Sequence, residues 1–265
     1  MSSTNATAKD DALTLISVSA FCCVLQDVLH EGLGHGVVAY FSGAHSLTIS
    51  TVALQSDISS RAIDAAGTIV NLIAGAIFLV ILRFAPPAKP VTRYFLVLAT
   101  AGNLFTSTGY FFFSGVTNFG DWASFVTGLQ PHWAWQLGLV MIGAAAYYAS
   151  MLLIWASLVP YLSRTNRGPR LRRLCWAPYF TDGILSGIAG VLNPAGIFYV
   201  IASALPSTLG ANMGLLVTPF SLHPRDLPEQ QRVGPITRSA TWIVAGAISA
   251  VFFVVLLGRG IHWSR

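Results

Sequence analysis

Charge is what this sequence has least of. Asp, Glu, Lys and Arg make up 9% of its 265 residues, against about a quarter in soluble domains. With 54% hydrophobic residues, the chain reads as a polytopic integral membrane protein. Long polar stretches are also missing, so no sizeable soluble domain fits. Acidic residues are fewer than basic ones, 10 against 15. In a membrane protein that balance bears on orientation, and no nucleic-acid partner is expected. Three cysteines, two of them adjacent (Cys22 and Cys23), give no disulfide framework and read as packing residues. Residues 1–11 are polar, without an arginine-rich or signal-peptide pattern, and read as a short disordered tail.

What is present is a series of long apolar runs. A span takes about 20 apolar residues, and about six fit, near 12–41, 61–84, 92–114, 133–162, 178–205 and 240–257. Between the first two, Ser46 to Leu54 alternates polar with β-branched or apolar residues, the period of an extended segment or small hairpin. The expected fold is therefore all-α and polytopic, with about six transmembrane helices and a short strand-like segment after helix one. Pro86, Pro87 and Pro90 end helix two, and Asn193-Pro194 should open helix five. Residues 206–237 read as a polar loop, so 126–265 holds three further helices and that loop. On this topology Lys9, Arg83, Lys89, Arg93, the five arginines of 164–173, Arg259 and Arg265 lie on the amino-terminal side. Arg61, Arg225, Arg232 and Arg238 lie opposite. Eleven against four places both termini in the cytoplasm.

One stretch does not belong in lipid. Asp27-Val28-Leu29-His30-Glu31-Gly32-Leu33-Gly34-His35 puts two histidines and two carboxylates near the end of helix one, where each ionisable group costs about 2.5–3.5 kcal/mol on insertion scales. A polar helix end seated in the membrane interface is the plain alternative. Two imidazoles flanking a glutamate suggest zinc, with Glu31 as the base towards water. The usual spacing for that chemistry is four residues. Here it is five, about 140° around a regular helix, so one ion can be shared only if the helix is distorted. Gly32 and Gly34 lie between the histidines, and a π-bulge would absorb the extra residue. An undistorted helix would instead align Asp27, Glu31 and His35 on one face, as for another metal or a proton relay. The paired imidazoles favour the distorted zinc site. The topology lets Asp64, opening helix two, and Asp121, beyond helix three, approach the histidines; Asp182 starts on the other side. Ala65-Ala66-Gly67 offers a small-residue face for a neighbouring helix, and Asn71 either bonds that neighbour or orients a ligand.

His30-Glu31-Gly32-Leu33-Gly34-His35 at the end of a first membrane helix resembles the metal motif of the site-2 protease family of intramembrane zinc metalloproteases. Ala66-Gly67-Thr68-Ile69-Val70-Asn71-Leu72 is similar to that family's small-residue and asparagine block. The resemblance covers residues 12–125, a three-helix metalloprotease-like core. The five-residue spacing departs from the family's four and looks like the expanded motif of the dipeptidyl peptidase III family, which implies that such a motif still binds zinc. The resemblance implies hydrolysis of a peptide bond in or near the membrane of a bacterial inner (cytoplasmic) membrane, on a membrane-protein or peptide substrate. His30, His35 and Asp121 would hold zinc and Glu31 would be catalytic. Asp121 is carried over by position, since it stands in Gly120-Asp121-Trp122 and not in the family's Leu-Asp-Gly, and Asp64 remains an alternative. Asn71, Asn103 and Asn193 would bind substrate backbone, with helix packing the other role for each. The family places its zinc towards the cytoplasm, whereas the arginine count puts this site outward. Three other readings stand beside this one: an inactive relative that binds or regulates, a transporter with broken helices, and a hydrolase of lipid amides or esters.

Overall fold

A computed structural model describes residues 9–162, 167–194, 196, 198, 201, 205–221 and 232–265. Among the described residues, five helices are long and apolar enough to cross a membrane: α1 (Ala12–Phe41), α2 (Arg61–Phe84), α3 (Pro90–Thr117), α5 (His132–Tyr161) and α8 (Ala240–Leu257). The shorter helices are α4 (Asp121–Val126), α6 (Arg167–Val191) and α7 (Met213–Ser221). The architecture is that of an integral membrane protein, mostly helical, with one small sheet.

The helix starts follow local chemistry. Asp11 caps α1 by accepting from the Thr14 backbone N–H at 2.8 Å, and Ser60 caps α2 by accepting from Ile63 N–H. Pro90 opens α3, where its missing N–H costs nothing. The main core lies between α1, α3, α5 and α6, around Val18, Tyr94, Phe105, Ile154 and Leu174.

The hairpin read from residues 46–54 is present as β1 (Ser46–Ile49) and β2 (Leu54–Ser56), antiparallel with Leu47 opposite Ser56. A third strand that the sequence reading did not contain, β3 (Ile261–Ser264), pairs with the other edge of β1 and sets Trp263 opposite Leu47. Four residues at the chain's end are too few for period-two patterning to show.

The second half of the chain departs from expectation. The helix read at 178–205 begins at Arg167 and stops at Val191, just before Asn193-Pro194. Its arginines and Asp182 set it apart from the five long apolar helices. The stretch read as a polar loop, 206–237, holds a π-helical turn (Pro206–Gly210) and α7. It runs back along α6: the Asn212 amide donates to Asp182 and the Trp176 indole donates to the Leu216 carbonyl. Residues 233–236 then lie beside the start of α1, where Ile236 N–H donates to Asp10 and Val233 N–H to the Pro160 carbonyl. From there α8 runs parallel to α1, with Gly246 against Ser17 and Phe253 against Cys23 and Val24. The pairing of β3 with β1 leaves the carboxyl terminus at the opposite end of α1 from Asp11, so the two termini do not share a side. The basic imbalance survives the change. Lys9, Arg83, Lys89, Arg93, Arg167, Arg170, Arg172, Arg173, Arg232 and Arg238 lie towards the start of α1, against Arg61, Arg259 and Arg265 at the far end. That is ten against three among the described residues; Arg164 and Arg225 lie outside them.

Candidate metal centre

α1 does not continue as a regular helix through its polar stretch. From Val28 to Gly36 it is π-helical, and beyond that the Val37 N–H reaches back to Gly32 O, five residues away. A ladder of i to i+5 bonds stacks residue 35 over residue 30, which a regular helix would set about 140° apart. The nine-residue π segment is thus the distortion that the five-residue spacing required. Three glycines fall in it, and the two between the histidines have different roles. Nothing outside its own turn crowds Gly32, whereas Gly34 packs directly on the Gly67 backbone of α2, where neither residue has room for a side chain.

This close approach places α2 under the histidines. A Cβ at Gly67 would lie 2.7 Å from His30 Nε2, and closer still to His35 Nε2. The third side chain arrives from the turn after α3. Asn118 adopts a left-handed backbone (φ 53°) and Gly120 has φ 86°, reversing the chain so that Asp121 opens α4 facing the histidines. Trp122 holds that turn by donating from its indole to Thr68 of α2 and stacking on Phe111.

The three donor atoms form a nearly equilateral triangle. His30 Nε2 is 3.2 Å from His35 Nε2, and Asp121 Oδ2 is 3.1 Å from the first and 3.3 Å from the second. Three corners of a tetrahedron about 2.0 Å from a central zinc are about 3.3 Å apart. The outer ring nitrogens fix the tautomers. His35 Nδ1–H donates to the Ile63 carbonyl at 2.6 Å. His30 Nδ1–H donates to Asn71 Oδ1 at 3.2 Å, an assignment secured by the Asn71 amide donating to the Gln26 carbonyl. Both Nε2 lone pairs then point at each other and at a carboxylate oxygen, three acceptors without a proton between them. A cation resolves that arrangement, and the outer hydrogen bonds are of the kind that orient metal-bound histidines. The donor set therefore fits zinc.

Glu31 is buried beside the triangle. It accepts from the Leu54 backbone N–H of β2, and its Oε2 has no hydrogen-bond partner. Glu31, His35 and Asp121 line one wall of a cavity of about 1290 Å³, whose opposite walls include Phe112, Phe113, Tyr147, Tyr148 and Val217. Asp64 also lines this cavity but contributes no atom to the triangle.

The three asparagines expected to bind substrate do not line that cavity. Asn71 is fully buried behind His30, with its amide taken up there and by Gln26. Asn103 is fully buried inside α3 and donates to the Ala99 carbonyl. Asn193 is buried past the end of α6. Asn71 and Asn103 stand on helix faces turned into the bundle, where an unpaired amide would be costly. Two contributors escaped the sequence reading. Tyr110 stacks on the His30 ring with centroids 5.0 Å apart. The Ile63 carbonyl orients His35, and a backbone oxygen leaves no trace in residue type. Tyr110 could have been suspected from its place about two turns before the Asn118–Trp122 reversal. In comparisons with known proteins, no family model, no curated protein and no solved structure matches the chain.

Proposed function

We propose that this chain is a membrane-embedded, zinc-dependent hydrolase, a peptidase of the site-2 protease kind that cleaves a peptide bond in or near the bilayer. The observation that carries the reading is the triangle of His30 Nε2, His35 Nε2 and Asp121 Oδ2, with sides of 3.1–3.3 Å and a buried glutamate beside it. When bound there, zinc supplies Lewis acidity towards a carbonyl and makes water a nucleophile at neutral pH. His30, His35 and Asp121 hold it, and Asn71 and the Ile63 carbonyl keep both rings turned inward. Glu31 takes a proton from water and returns it to the leaving amine. Its Oε2 has no partner to displace first. The substrate occupies the large cavity, and its carbonyl approaches the wall formed by Glu31, His35 and Asp121. The ten-to-three basic imbalance supports a cytoplasmic amino terminus, in a bacterial inner membrane by the resemblance, with the site in the outer half.

Hydrolysis of a lipid amide or ester is the second reading, favoured by the aromatic and aliphatic walls of that cavity. The experiment uses purified full-length protein in liposomes with a library of single-span apolar peptides, read by mass spectrometry, and metal content by elemental analysis. About one zinc per chain is expected, with cleavage falling about 10²–10⁴-fold in Glu31→Gln at unchanged zinc. A wild-type protein without a transition metal, or a Glu31→Gln variant as active as wild type, overturns the proposal. Release of fatty acid from the liposomes without peptide cleavage selects the lipid reading.

A further inference from the structure

Beside the metal triangle lies a second chamber of about 20 Å³, which shares Glu31, Val52, Tyr110 and Ser207 with the lining of the large cavity. It is enclosed by α1, the β1–β2 loop, α3, α6 and the turn before α7. That volume holds one water-sized particle, and its walls are rich in oxygen. Among the described residues, Asp27 Oδ2, Thr51 Oγ1, Thr106 Oγ1, Asp182 Oδ1 and Asn212 Oδ1 are all buried without a hydrogen-bond partner and all five residues line it, as does Glu31, whose Oε2 is likewise unpartnered. Asn212 is 1%, Thr106 3% and Asp182 6% exposed. The Asn212 amide is already spent on the other Asp182 oxygen, at 3.2 Å. The further donor near Asp182 is the Cys23 thiol, a weak one. Among the described residues, no lysine or arginine lines the chamber, and both nitrogens of His30, which borders it, are engaged elsewhere.

We propose that this chamber is a second cation site, distinct from the histidine triangle, for a dehydrated hard cation with oxygen ligands only. The ligands are Asp27, Asp182, Asn212, Thr51 and Thr106. A single water offers two protons to this wall, and its carboxylates would remain uncompensated in an apolar interior. One cation answers all five oxygens at once. Oxygen ligands without nitrogen or sulfur select against zinc. A space for one bare ion selects against magnesium, which keeps its waters. Three carboxylates line the chamber, Asp27, Asp182 and the Glu31 that also faces the triangle; the two aspartates match the charge of calcium, and sodium is the monovalent ion of the same ligand chemistry. The site joins α1, one turn before Glu31, to α3, α6 and the turn before α7, and so bears on how firmly the π-helical segment is held.

The test is thermal unfolding of the full-length, zinc-loaded protein in detergent, titrated separately with calcium chloride and sodium chloride, with choline chloride as the ionic-strength control. A saturable rise of about 5 °C or more is expected with calcium or sodium, and none with choline. Asp182→Asn, which keeps shape and removes charge, and Thr106→Val, which keeps volume and removes a ligand, should each abolish or weaken that rise at least tenfold in the concentration required. Zinc content, measured in parallel, should stay at wild-type level in both, which separates this site from the triangle. No cation-specific rise in wild type overturns the proposal, as does a rise that persists unchanged in both variants.

Discussion

Replacing Gly67 with alanine probes the metal centre without touching a ligand. The new Cβ would stand 2.7 Å from His30 Nε2, 2.8 Å from His30 Cε1 and closer still to His35 Nε2. Ordinary contact needs at least about 3.4 Å, so both rings must retreat by about 0.7 Å or more. The rings are pinned from behind by Asn71 and the Ile63 carbonyl, and metal–ligand distances tolerate only about 0.2 Å. Overpacking of this kind costs about 1–3 kcal/mol. If that cost is taken from metal binding, zinc affinity falls about 5- to 150-fold. The assay is competition for zinc against a chromophoric chelator, with Gly187→Ala, which meets nothing within 4 Å, as the control. A Gly67→Ala protein that binds zinc as tightly as wild type would refute the placement of both imidazoles over α2.

Other perturbations follow from the same contacts. Asn71→Leu removes the acceptor of His30 Nδ1–H and should weaken zinc binding about 10- to 100-fold, read by the same chelator competition, while leaving the five long helices intact by circular dichroism. Asp10→Ala leaves the half-buried Arg170 guanidinium, bidentate to Asp10 at 2.9 Å in the wild type, without its carboxylate. The expected loss is about 3–5 kcal/mol, measured by chemical unfolding in detergent, and an unchanged midpoint would count against it. Asp57 accepts from the backbone N–H of Ser46 and His45, and those bonds, led by Ser46, hold its carboxyl below the ordinary value. Its folded pKa being depressed, the stabilisation is complete above the unfolded value near 3.9 and is lost as pH falls through the folded one. The stability gap between wild type and Asp57→Asn should therefore be full at pH 6 and shrink below about pH 4; a gap that widens on acidification would contradict this.

How much of this was legible in residue order depends on the range of the interactions involved. Composition and run length determined a helical membrane protein, because satisfying backbone groups in lipid is a local demand that each segment meets by itself. The bounds of α1, α2 and α8 followed from the same requirement. The π-helical segment was legible too, since two histidines five apart in a helix face one ion only if the turn widens, and the spacing states the conflict outright. Asp121 was placed near the histidines by counting crossings, without any motif to mark it.

Long-range pairing was a different matter. Whether Asp121 or Asp64 supplies the third donor depends on the reversal at Asn118 and Gly120, a turn whose aim is set by Trp122 reaching Thr68 on another helix. Asn71 read equally well as packing or binding residue until its amide was found spent on His30 and Gln26. The stretch 206–237 read as a loop because its prolines and glycines break local patterning. Its return along α6 rests on Asn212 meeting Asp182 and Trp176 meeting Leu216, contacts between segments about 30 and 40 residues apart. β3 needed β1, over 200 residues away, to be a strand at all. Residue order determined what each segment buries, because that is decided between a side chain and its solvent. The partners that polar groups find across the bundle were decided only by the assembled fold.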